Sequence, residues 1–280
     1  MGMKKSGGKS SFSNANPRSD ERDNKFKFDI SKDGSVSRDL GAGHDRVEIK
    51  ADKAVTNIRV TFTSADVGNA NPLDGNNAVN EDGGLAVRIQ AEDAAGNLIG
   101  SVSRFDDEGI TFETKGDAKF DVRDLPTGTQ RGDGFDVVTL GTSGNDTFDE
   151  SGESEAYYIN AGGGNDTIIG GLLNDFLVGG AGNDRIEGRQ GDDSLLGGGG
   201  SDVFVFSGTN REFGLDRILD FTTGVDKIDL SAYGITAANV TSTTRQTSTF
   251  LLIDTDKDGV SDLNIVIVGA PAPAESDFIF

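Results

Sequence analysis

The chain has 280 residues and a formal net charge of −21, from 47 acidic residues against 26 Lys and Arg. Such a charge argues against nucleic acid and anionic lipid as partners. With no cysteine, disulfides and thiolate metal sites are excluded, and a single histidine excludes a two-histidine zinc centre.

Residues 1–27 run against the overall charge, with seven cations against three acids, and their Ser, Asn and Gly content predicts a disordered basic tail. This tail lacks the apolar core of a cleavable signal peptide, and no apolar run in the chain is long enough for membrane insertion. Residues 28–130 hold short alternating segments, among them VEIKA, TNIRVTFTS, LAVRIQAE, GITFE and AKFDVRDL. Turn clusters such as NPLDGNN and NEDGG separate them, a pattern that predicts an antiparallel β-sandwich. His44 lies in GAGHDRVEI, a glycine turn entering a strand, and no G-x-S-x-G occurs for it to serve. FDDEG gathers Asp106, Asp107 and Glu108 at another turn.

Residues 131–206 become periodic. Five consecutive nonapeptides, AGGGNDTII, GGLLNDFLV, GGAGNDRIE, GRQGDDSLL and GGGGSDVFV, cover 161–205. Position six is always Asp: Asp166, Asp175, Asp184, Asp193 and Asp202. Position eight is always apolar: Ile168, Leu177, Ile186, Leu195 and Phe204. An earlier copy, GTSGNDTFD with Asp146, precedes the insert ESGESEAYYIN, and RGDGFDVVT at 131–139 is a more degenerate one. Each unit reads as a tight glycine turn followed by a short strand whose central side chain points inward. Carboxylates and turn carbonyls are hard oxygen ligands suited to Ca²⁺, and several ions would neutralise the acids and fix the turns.

The pattern G-G-x-G-x-D-x-U-x resembles the calcium-binding RTX (hemolysin-type) repeat and implies a parallel β-roll. The chain is thus expected to be all-β, with sandwich, roll and a β-rich cap over 207–280. The resemblance implies metal ligands at Asp146, Asp166, Asp175, Asp184, Asp193 and Asp202. It places the turn glycines at Gly162, Gly164, Gly180, Gly182, Gly198 and Gly200. Two nonapeptides make one turn, so repeats 161, 179 and 197 share one edge and 170 and 188 the other. On the second edge Leu173 and Arg189 replace glycine and are expected to impair the turn.

The cap, SDVFVF followed by LDRILDFTTGVDKIDLSAYG, resembles the serralysin-like segment that follows RTX repeats in secreted bacterial proteases, lipases and epimerases. The final SDFIF resembles a type I secretion signal, which needs no N-terminal leader. The alternative for these last residues is a final β-strand of the cap. DTDKDGVSD places Asp254, Asp256, Asp258 and Asp262 at positions one, three, five and nine of an EF-hand-like loop, with Gly259 at six. Its flanks suggest a hairpin rather than helices.

These features imply a secreted, extracellular calcium-binding protein whose partners are the type I secretion machinery and a cell-surface or extracellular polysaccharide. Tyr157 and Tyr158, in the insert, stand as either a sugar-binding pair or core residues. No catalytic constellation is visible, and no protease or lipase domain. A non-catalytic surface, matrix or adhesion protein is therefore expected. The other reading is an enzyme with a carboxylate-based site in the N-terminal part.

Overall fold

The structure is a computed structural model that describes residues 134–208 and 214–280, together with eight strands N-terminal to them. Those strands are β1 Lys25–Asp29, β2 Ser35–Ser37, β3 Asp45–Lys50, β4 Asn57–Phe62, β5 Leu85–Glu92, β6 Leu98–Asp106, β7 Ile110–Lys115 and β8 Phe120–Val122. Within them, side chains are described for Glu48, Ile58, Thr111 and Phe120. The tail up to Asn24, the His44 turn and the pair Asp107–Glu108 lie outside the described residues, while β1 begins inside the stretch expected to be tail.

The repeats form a parallel β-solenoid of about four turns. Each turn contributes one strand to each of two sheets. The first sheet takes β9 Val137–Leu140, β11 Tyr157–Gly163, β13 Phe176–Ala181 and β15 Ser194–Gly199. The second takes β10 Thr147–Asp149, β12 Thr167–Ile169, β14 Arg185–Glu187 and β16 Val203–Val205. In register, Ile159 lies beside Leu177 and Leu177 beside Leu195. Across the roll the column is Phe148, Ile168, Ile186, Phe204. These are the position-eight side chains, including Phe148 of the copy at 141–149, with Ile159 of the insert, and they form one buried cluster. A fixed apolar position every nine residues meets itself across each turn and each rung, which locks the register.

The cap continues both sheets. Strand β17 Leu215–Ile218 pairs with β15, and β18 Lys227–Asp229 pairs with β16. The hairpin β19 Val240–Arg245 and β20 Ser248–Ile253 then runs antiparallel against β21 Leu263–Ile267, which itself pairs with β17. An antiparallel hairpin cannot be extended by another repeat, so it terminates the sheet. The last strand, β22 Phe278–Ile279, pairs with β18. The final β-strand, the alternative reading of the C-terminal residues, is therefore present.

At the other end, β7 runs antiparallel against β9, and β3 and β1 extend that sheet. The remaining N-terminal strands form a third sheet in the order β2-β6-β5-β4-β8. The central β4–β5–β6 pairings are antiparallel, in line with the expectation. The pairs β1–β3, β3–β7, β2–β6 and β4–β8 are parallel, so the purely antiparallel expectation for residues 28–130 is corrected. Alternation reports which faces are buried and carries no information on strand direction.

Tyr157 and Tyr158 are core residues, which corrects their reading as a sugar-binding pair. Tyr157 packs inside the roll, 5% exposed, and Tyr158 is fully buried on the opposite face of β11, stacked on Phe176 at 5.4 Å. Truncating Leu177 to Ala, in the inner column, should destabilise the calcium-loaded roll by about 2–5 kcal/mol, whereas Leu173→Ala should cost under about 0.5 kcal/mol because Leu173 is 42% exposed. Chemical denaturation in calcium checks this pair; equal losses would contradict the packing assignment.

Candidate metal centre

The turns at the two edges of the roll place their carboxylates in two ladders. On one edge the N–H of Asp146 donates to Oδ1 of Asp166 (2.7 Å), Asp166 to Asp184 (2.8 Å), Asp184 to Asp202 (2.9 Å) and Asp202 to Asp226 (3.0 Å). On the other edge Tyr157 donates to Asp175 (2.8 Å), Asp175 to Asp193 (2.8 Å) and Asp193 to Asp216 (3.0 Å). Repeats 161, 179 and 197 thus share an edge, as expected, and the insert carries repeat 141 onto it. On the opposite edge Tyr157 stands where the insert lacks its own carboxylate. The repeat aspartates from Asp166 to Asp202 are all at most 2% exposed.

The second carboxylate oxygen divides the repeats. In the repeats at 141 and 170, the position-two N–H closes on it: Thr142 donates to Asp146 Oδ2 and Gly171 to Asp175 Oδ2, each at 2.7 Å. The Oδ2 atoms of Asp166, Asp184, Asp193 and Asp202 are buried with no hydrogen-bond partner. The division follows the backbone. Positive φ occurs at position two in Gly162, Gly180, Arg189 and Gly198, and at position four in Gly164, Gly182, Gly191 and Gly200. These are the four repeats with the orphaned oxygen, and neither 141 nor 170 has a positive φ at either position.

Positive φ turns the position-two N–H away from the carboxylate and leaves that oxygen free for a cation. Glycine is required for space as well. A Cβ on Gly180 would strike the carbonyl oxygen of Gly162, and one on Gly182 that of Gly164. Carbonyl oxygens of successive turns therefore crowd the same edge as the carboxylates. A buried, orphaned carboxylate oxygen beside turn carbonyls is an oxygen donor set that suits Ca²⁺.

Arg189 behaves differently from expectation. It adopts φ 73° and keeps the left-handed turn, and its repeat retains the orphaned Asp193 oxygen. Leu173, in contrast, replaces the position-four glycine without adopting positive φ, and its repeat is a closed one. The second edge is thus impaired at 170 and intact at 188.

Burial raises these carboxylates. Desolvation lifts Asp166 and Asp184 to about 6, and Asp175 and Asp202 to about 7. Asp193 is likewise pushed well up, by burial first and then by the neighbouring Asp216 and Asp175 carboxylates.

Several ladder members escaped the sequence reading. Asp216 and Asp226 continue the two ladders into the cap, and Asp277 closes the end, accepting N–H groups from Gly224 (3.1 Å) and Ala274 (2.9 Å). Each is followed two residues later by an apolar residue, Ile218, Ile228 and Ile279. The D-x-U half of the repeat persists there, with the position-four glycine kept as Gly214 and Gly224 before the first two, and that signal could have found them. Asp220 has a different role, accepting the N–H groups of Gly197 (2.9 Å) and Gly198 (2.7 Å) in place of a further turn.

The acidic loop after β20 lies in the β20–β21 hairpin, as its flanks suggested. Carboxylate oxygens of Asp254, Asp256 and Asp262 lie within 4.8 Å of one another. Asp258 faces elsewhere, its Oδ1 accepting the Val260 N–H at 2.7 Å. Ile265, at the position where an EF-hand has its bidentate acid, is buried in β21.

Comparison with known proteins matches the model of the RTX calcium-binding nonapeptide repeat, in four copies, over residues 158–177 and 169–204. The chain carries RTX repeats over residues 158–204. Its repeats are calcium-binding nonapeptides. Among solved structures it is similar to the AlgE6R3 subunit of the mannuronan C5-epimerase from Azotobacter vinelandii. That alignment has 32% identity and a TM-score of 0.29, covering 50% of this chain and 80% of that one. The AlgE6R2 subunit of the same enzyme aligns at 24% identity and TM-score 0.29, covering 50% of this chain and 91% of that one. The extracellular lipase LipA of Serratia marcescens aligns at 15% identity and TM-score 0.25, over 92% of this chain and 37% of the lipase. No curated protein matches the chain. Among the described residues, no helix is long and apolar enough to cross a membrane.

The raised carboxylates predict a pH dependence for the RTX roll without calcium. Folded values of about 6 to 7 lie above the unfolded value of about 3.9, so the neutral acids favour the folded state. That contribution is complete below the unfolded value and is lost as pH rises through 6 to 7. Thermal melts in chelator, followed by circular dichroism, should show the roll more stable at pH 5 than at pH 8. A melting temperature that falls between pH 8 and pH 5 would contradict the assignment.

Proposed function

We propose that this chain is a secreted calcium-binding protein, exported by type I machinery with its roll open and folded by Ca²⁺ outside the cell. The observation that carries this reading is the set of four buried carboxylate oxygens without partners, at Asp166, Asp184, Asp193 and Asp202, each in a turn opened by positive φ. Extracellular calcium modules typically bind with Kd of about 10⁻⁴–10⁻³ M, and a site at tenfold excess contributes roughly 1.4 kcal/mol. Several such sites decide the folding of a roll that is otherwise opposed by its own charge.

In this reading Asp146 and Asp175 are structural members of the ladders, and Asp254, Asp256 and Asp262 hold a further ion in the cap. Residues 28–130 form the sandwich that meets the target, a cell-surface or extracellular polysaccharide, in a non-catalytic surface, matrix or adhesion role. An enzyme in that part would use the same roll in the same way, so the folding role stands apart from that choice. Ser276–Phe280 supply the export signal. In support, Asp277 is fully buried and β22 is paired in the folded roll, so the segment is accessible when the chain is open.

Calcium titration of the full chain, followed by circular dichroism, tests the reading through three variants. Asp184→Ala and Asp193→Ala should each raise the calcium needed for half-folding several-fold, because each removes an open oxygen. Asp175→Ala, at a closed turn, should move the midpoint less. The reverse order would show that the orphaned oxygens are not the calcium ligands.

A further inference from the structure

The strands that end in the open turns carry a second buried face. In β11 and β13 the inward residues are Ile159 and Leu177, so Tyr158, Phe176 and Val178 point out of the roll, and all three are 0% exposed. An outward face on a free-standing roll would be polar. Its cover is traceable. Phe135 packs edge-on against Tyr158 at 5.9 Å, and Phe135 exchanges backbone hydrogen bonds with Phe120 of β8, at 2.7 and 3.0 Å. Phe120 is aligned with Ile58 of β4, and both are fully buried. Strand β7 joins at the sheet edge, hydrogen-bonded along β9, with Thr111 Oγ1 at 3.2 Å from Thr139 Oγ1, which shares the inward face with Ile159.

We propose that the N-terminal strands use the roll as their template, β4 and β8 through its outer face and β7 through the edge of β9, so that calcium bound in the repeat turns switches on the surface that the N-terminal part presents. The proposal rests on the calcium-triggered folding argued above and extends it to residues that hold no calcium. The connection is short. Gly162 and Gly180, whose positive φ opens the turns, are in β11 and β13 themselves, four residues after Tyr158 and Phe176 respectively. A turn left open by lack of calcium cannot hold those strands in register, and without them β9, which carries β7, loses its neighbour and Phe120 the apolar surface beyond Phe135. Calcium-dependent target binding then needs no ion at the target site.

Hydrogen exchange on the full-length chain during a calcium titration reads this directly. Amides of β7 and β8 should gain about tenfold or more protection at the same calcium midpoint as those of β11 and β13. Asp184→Ala should move both midpoints upward together. Phe176→Ser, which strips the outer face and leaves the inner column intact, should lower protection in β7 and β8 while the roll still folds on calcium. Protection of β7 and β8 in chelator, with the roll unprotected, overturns the inference alone, as does Phe176→Ser without effect on them. A roll protected equally with and without calcium overturns both the inference and the folding reading beneath it.

Discussion

Stacking like charges one strand apart is the constraint on which the roll depends. Neighbouring strands are separated by about 4.8 Å, and at an effective dielectric near 20 two unit charges at that distance repel by roughly 3–4 kcal/mol. The ladders set Asp166, Asp184 and Asp202 in successive turns, and Asp175 and Asp193 likewise, all out of water. Backbone N–H groups satisfy one oxygen of each, and both of Asp175, and leave the net charge in place. The charge is answered by a cation between turns or by a proton on the carboxylate. Calcium binding and the raised carboxylate pKa values are therefore two expressions of one electrostatic problem.

Glycine decides which turns use the cation. Where positions two and four adopt positive φ, the carboxylate keeps a free oxygen; where they do not, the position-two N–H closes upon it. A closed turn is a stable local solution that spends the ligand on the chain itself. The cap uses the same device, with Thr222 donating to Asp226 Oδ2 at 2.7 Å and Ala274 donating to Asp277. Two closed repeats, four open repeats and a closed cap give the roll permanently satisfied members at its ends and within it, with the calcium-responsive turns lying between them.

Much of this was legible in the residues. Nine-residue spacing with Asp at six and an apolar residue at eight fixes the roll, its register and the membership of each edge. Arg189 was misjudged because side-chain type alone suggests a clash, whereas a solvent-facing Arg tolerates φ 73° when its neighbours hold the turn. Strand direction in residues 28–130 was not legible, since alternation is the same for parallel and antiparallel pairs. The outer face was legible in principle. Repeats ending FLV and SLL are apolar on both sides of the strand, whereas RIE alternates, and continuous apolar runs mark strands covered on both faces. Tyr157 and Tyr158 were ambiguous for a related reason: adjacent aromatics in a strand point to opposite faces, and only the fold shows that both faces are covered.

The central claim is that calcium and protons compete for the same buried carboxylates. Isothermal titration calorimetry of calcium into the full-length chain, repeated in buffers of different ionisation enthalpy, counts the protons exchanged on binding. At pH 6 to 6.5 the account predicts net proton release, falling towards zero by pH 8.5, because Asp202, at about 7, is largely protonated at the lower pH and Asp166 and Asp184, at about 6, partly so, while all three are ionised at the higher. Calcium binding at pH 6 to 6.5 with no proton release would contradict it.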